Sequence, residues 1–173
     1  MHTPDASLAV TLATFLFLVR RAGLTLADPA VESACAAFDA GGAPVETLGN
    51  ALVTAVQARL SGARVEDVVA ALRALLGDDH VHTDLGAGAD RAARATAIRR
   101  AHFGNHVPWL AVIIDRQPDG EVARHWVLVE SFDEAARVMD PNPWDDKDEN
   151  RTIDLGDFMV QWELAGCASV RVA

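Results

Sequence analysis

A change of texture near residue 103 constrains this chain more than any other feature. Residues 6 to 103 are rich in Ala, Leu and Val at helical spacing, and from Val107 the apolar residues come in short β-branched runs. Val65, Val68, Val69, Leu72, Leu75 and Leu76 draw one apolar stripe, and Gly77 follows the last of them. That spacing, ended by a glycine, predicts a helix over 65–76. A similar helix is expected from about Val45 to Leu60, closed by Ser61-Gly62, and the Arg-rich stretch from Ala89 to Ala101 reads as a surface helix. Beyond it, Trp109 to Ile114 and His125 to Glu130 read as strands joined by the turn sequence Gln117-Pro118-Asp119-Gly120. Arg137 to Asp140 reads as a third strand, residues 142 to 152 as a polar loop, and Phe158 to Leu164 as a closing helix. Helices first and an antiparallel sheet afterwards is an α+β order, because βαβ units would alternate the two. The expected organisation is one domain over 1–173, with a helical half (1–103) and a sheet half (104–173).

With 173 residues and 50% hydrophobic content, such a domain can bury a core without disulfides or metal. Its formal charge of −10, from 25 acidic and 15 basic residues, argues against nucleic acid or an anionic membrane as partner. The apolar run from Leu8 to Val19 is too short to span a bilayer, which takes ~20 residues. Asp5 precedes the run and Arg20 and Arg21 follow it, the reverse of a signal peptide, so it reads as a buried first helix. Cys35 and Cys167 lie in apolar surroundings and read as buried inert thiols in a reducing cytoplasm.

Chemistry is concentrated in two segments. His125 opens the strand His125-Trp126-Val127-Leu128-Val129, and one hairpin later Asp140 stands before Pro141 at the end of the next. An imidazole followed by a carboxylate in this way can serve as a general base and the group that orients it. A histidine opening a strand and an Asp-Pro step are also ordinary structural features, so spacing leaves both readings open.

The stretch from about His106 to Gly166 resembles the C-terminal half of the papain-like cysteine peptidases that cut double-glycine leaders from bacteriocins. The resemblance rests on order: the Pro-bearing strand Val107-Pro108-Trp109-Leu110-Ala111-Val112, the strand His125 to Val129, the Asp140-Pro141 step, then Ile153, Leu155, Phe158 and Trp162. It implies a papain-like fold with His125 as base and Asp140 as its orienting partner. It also implies a nucleophilic Cys at the start of the first helix and a Gln before it for the oxyanion hole. Aligned on the first apolar run, that Cys position falls at about Thr3, with Ser7 the nearest other hydroxyl, and residues 1 to 34 contain no Cys. Only Met1 and His2 precede Thr3, which leaves no room for the Gln.

A hydroxyl is a far poorer nucleophile than a thiolate near neutral pH. The expectation is therefore a degenerate papain-like domain that binds a peptide, a carrier or a partner protein in the old substrate groove without thiol catalysis. The alternative is an amide hydrolase or acyltransferase that uses His125 and Asp140 with Thr3 or Ser7, or with Cys35 swung in. Trp126 and Trp109 are the candidate binding residues, expected to pack the core and the groove rather than stack bases.

No cofactor is expected. Asp146 to Asp157 places oxygen ligands as a calcium loop does, but Arg151 stands where the turn needs Gly and Asp157 where a Glu is needed. It reads as a solvated acidic loop. His80, His82 and Asp84 offer three potential ligands without a visible fourth, so no metal site is expected there.

Overall fold

A computed structural model describes residues 6–83, 90–105, 108–116, 119–140 and 150–172, the side chains of 6 and 101–105 excepted. The chain divides into two compact units, Met1–Val81 and His82–Ala173.

Among the described residues, the first unit is built of four α-helices, α1 (Ala6–Arg21), α2 (Pro29–Asp39), α3 (Val45–Gln57) and α4 (Val65–Leu76), followed by a short 3-10 turn at Asp78–His80. The run expected to form a buried first helix does so, with Leu8, Leu12, Phe15, Leu16 and Val19 all out of solvent. Helix α4 has the predicted ends, and Gly77 takes a positive φ of 98° at its C-cap, a conformation open to glycine. Asp28 caps α2 by accepting from the Ala30 and Val31 N–H groups, with Pro29 in the first turn. Arg20, in the last turn of α1, clamps α2 by donating to both carboxylate oxygens of Glu32 at 3.0 and 3.1 Å.

Among the described residues, the second unit carries a sheet and two α-helices. Strand β1 (Val81–His82) sits at the boundary, followed by α5 (Arg91–Asn105), β2 (Trp109–Arg116), β3 (Val122–Phe132), β4 (Ala135–Met139), β5 (Asn150–Asp154), α6 (Leu155–Leu164) and β6 (Ser169–Val172). The six strands run in the order β1-β6-β2-β3-β4-β5. Strands β2 to β5 form an antiparallel meander, and the chain then crosses through α6 to lay β6 on the other side of β2. The turn entering β3 uses Gly120 at φ 86°, and Asp119 accepts from the Glu121 N–H.

Alternation sorts the strand residues into two faces. One face carries Trp109, Ala111 and Ile113 from β2, Val127 and Val129 from β3, Ala136 and Val138 from β4, and Ile153 from β5. Phe158, Met159 and Trp162 of α6 and Ile98 of α5 complete this core. Trp109 lies at its centre, edge-on to Phe132, Phe158 and Trp162 with ring centroids 6.2, 5.9 and 5.7 Å away.

Two expectations change. The Arg-rich helix is not wholly a surface helix: Ile98 is buried in the core, and Arg91 and Arg94 both pair with Glu163 of α6. The polar segment 142 to 152 does not end as a loop, since Asn150 to Thr152 begin β5 and pair in register with Met139 to Arg137. Backbone pairing with β4 holds these residues extended despite their polar side chains, as an edge strand allows.

Candidate functional site

The alternation that builds the core also builds a polar group at one end of it. Asp115 follows Ile113 by two residues on β2, His125 precedes Val127 by two on β3, Asp140 follows Val138 just past β4, and Arg151 precedes Ile153 on β5. The register sets Ile113 opposite His125 and Val138 opposite Arg151. Four polar side chains from neighbouring strands thus share the core face and meet at the same end of it.

Their bonds form a chain. His125 Nε2 lies 2.7 Å from Asp140 Oδ2. An ionised carboxylate only accepts, so Nε2 carries the proton and Nδ1 is the basic nitrogen of the neutral ring. Arg151 Nη2 donates to Asp140 Oδ2 at 3.4 Å and to Asp115 Oδ2 at 3.2 Å. Asp115 Oδ1 accepts from the Arg116 N–H at 2.9 Å. Side-chain exposure is 14% for His125, 2% for Asp140, 15% for Arg151 and 9% for Asp115, so these charges interact where water screens them weakly.

The expected pair of His125 and Asp140 is brought together by the fold. The other sequence candidates lie on other elements or outside the described residues. Thr3 lies outside the described residues. Ser7 is half-buried in the first turn of α1, and its carbonyl accepts from Thr11 Oγ1. Cys35 is buried on α2, and burial pushes its thiol up from the usual range, which opposes the thiolate a nucleophile needs. Cys167 is half-buried in the turn after α6, at φ 57°, and packs against the core.

Trp109 has its ring enclosed in the aromatic core at 2% exposure and packs rather than presents a binding surface. Trp126, directly opposite Val112, has the opposite parity to His125 and lies on the other face of the sheet. Trp126 therefore points away from the group around His125, and Trp109 is spent on packing the core.

Asp115 and Arg151 were not legible as site residues. The available signal was parity, two residues beyond Ile113 and two before Ile153, but for Arg151 it required recognising β5 as a strand. Among the described residues no cluster of His, Cys, Asp and Glu is suited to hold a metal ion. The candidate calcium loop lies outside the described residues over 146–149, and its remainder is strand β5 and the first turn of α6.

Among the described residues, six α-helices and an antiparallel sheet with one face closed by a helix make an α+β fold. Neither a protein-family model nor a curated protein matches the chain. A solved structure from Bacillus anthracis described as a "putative C39-like peptidase" is similar to it, with a TM-score of 0.57 and 11% identity, over 100% of this chain and 91% of that one. The chain thus has the fold of the C39-like peptidases.

Proposed function

We propose that this protein is a papain-fold domain that binds an extended peptide or a partner polypeptide and does not cut it by thiol catalysis. One observation carries the reading: His125 and Asp140 keep a 2.7 Å contact, while residues 1 to 34, which include α1, contain no Cys. A base and its orienting group stand together, and residues 1 to 34 offer them no thiol. Cys35, the first thiol in the chain, is buried with its proton held more firmly than usual. A groove shaped for an extended chain keeps its recognition surfaces when its nucleophile is lost. Two free cysteines fit a reducing compartment, and we place the domain in the cytoplasm on that ground.

The intact His–Asp pair also favours a second reading, an amide hydrolase or acyltransferase in which His125 activates a hydroxyl of Thr3 or Ser7. One experiment separates the two. The purified protein is mixed with a fluorescein-labelled synthetic peptide of 20 residues or so ending in Gly-Gly, and both anisotropy and chromatography of the peptide are followed over hours. Saturable binding with an intact peptide supports the binding reading. Cleavage that His125→Ala abolishes, or a covalent adduct of a fluorophosphonate acyl probe at Thr3 or Ser7, overturns it in favour of the enzyme. No binding at all overturns it outright.

A further inference from the structure

Asp140 Oδ2 takes two donors at once, the His125 ring at 2.7 Å and the Arg151 guanidinium at 3.4 Å, and Asp115 grips the same Arg151 nitrogen at 3.2 Å. We propose that Arg151, held by Asp115, is a positioning residue whose charge offsets the two carboxylates beside His125 and so sets how readily that ring takes a second proton. The proposal rests on the reading above, in which the pair is the retained frame of a papain-type site.

The argument is one of charge count in a poorly screened place. With a neutral ring, Asp115 and Asp140 each contribute a negative charge and Arg151 a positive one. Losing the guanidinium leaves two buried carboxylates on one sheet face, and a proton on His125 becomes the nearest compensation. Losing the Asp115 carboxylate instead leaves Arg151 and Asp140 as a balanced pair, and the ring has less reason to charge. A purely structural strut would give two destabilised variants and no opposition of sign.

Among the described residues, several other charges of these elements are engaged with one another or exposed. Within the core-facing parity of β2 to β5, Asp115, His125, Asp140 and Arg151 are the ionisable side chains among the described residues. On β3 and β4, Glu130 and Arg137 pair with each other. From α5 and α6, Arg91 and Arg94 pair with Glu163, Arg99 Nη2 donates to the Asp133 carbonyl, and Arg100 and Asp157 are exposed. On β6, Arg171 has the parity of Ser169, whose partner is Ala111, and sits toward the Trp109 end of β2.

The test is an NMR titration of the histidine rings in the full chain, with His125 assigned by comparison with His125→Gln. Arg151→Gln moves the His125 midpoint up by about tenfold in proton affinity, Asp115→Asn moves it down, and Arg151→Lys restores most of the original value. Shifts of the same sign in Arg151→Gln and Asp115→Asn, or no shift in either, overturn the proposal. Should Arg151→Gln fail to fold, Asp115→Asn decides alone: a downward shift upholds the proposal, and an upward shift or none overturns it. Peptide binding is scored separately on the unaltered protein. Its absence would sink the functional reading and leave the opposed titrations standing, whereas unopposed titrations with binding intact would sink only the role of Arg151.

Discussion

At the scale of single residues, the buried carboxylate of Asp140 holds both an imidazole and a guanidinium, and its removal exposes what that arrangement contributes. Asp140→Ala leaves Arg151 half-compensated by Asp115 and His125 without its acceptor. Breaking a buried ionic contact from one side costs about 3–5 kcal/mol, and the surviving Asp115 contact places this variant near the lower end, measurable by urea unfolding. A cost within error of zero would mean that the network is not populated in solution. Cys35 tests the discarded thiol. Burial raises its pKa, so iodoacetamide at neutral pH should leave it unmodified in the native protein and alkylate it once urea unfolds the chain, as mass spectrometry of the digested protein would read. Rapid native labelling at Cys35 would restore it as a candidate nucleophile. These residues were unequally legible. His125 and Asp140 stand out because an imidazole ahead of an apolar run and an Asp-Pro step are visible in one dimension, whereas Asp115 merely follows the apolar run Trp109 to Ile114.

At the scale of elements, α6 decides how the core face is closed. Asp154 ends β5 and caps α6, accepting from the Gly156 N–H at 2.8 Å and the Asp157 N–H at 3.4 Å. Asp154→Ala should therefore destabilise the protein by about 1 kcal/mol in chemical denaturation, the usual value of an N-cap side chain. Trp162 is fully buried against Trp109 and donates from Nε1 to the Ala168 carbonyl at 3.0 Å. Trp162→Ala opens a large cavity, while the Ala168 carbonyl keeps the Val112 N–H as donor, and the variant should cost about 3–5 kcal/mol. A loss below 1 kcal/mol in a denaturant titration would show that α6 does not seat as described. Elements with a dense periodic signal were read correctly, as α4 shows: six apolar residues on one stripe followed by a glycine leave few alternatives. Strand β5 was missed because Asn150-Arg151-Thr152-Ile153-Asp154 offers one apolar residue, and what makes it a strand is the ladder to β4. A ladder is a property of two segments, and neither contains it alone.

At the scale of the whole molecule, each unit carries an acid-sensitive contact. Arg20 beside Glu32 holds that carboxyl below its ordinary value in the first unit, and Arg91 beside Glu163 does the same in the second. A carboxylate with a depressed folded-state pKa lends stability that is fully present above its unfolded pKa, near 4.5, and that fades as pH falls through the folded value. Thermal unfolding followed from pH 7 to pH 3 should show a falling Tm below about pH 4.5, with a shallower fall in Arg20→Met. An equal slope in that variant would remove Glu32 from the account. At this scale the sequence by itself determined the class of fold, since hydrophobic spacing of 3.6 before residue 103 and β-branched runs after it commit the backbone to helices and then strands. It also determined that residues 1 to 34 contain no Cys, because residue identity is written in the chain. Only the tertiary structure decided which polar groups stand beside His125. Strand pairing and register, set by backbone bonds and burial across several segments, bring Asp115, Asp140 and Arg151 to one end of one face, and no local pattern encodes that meeting.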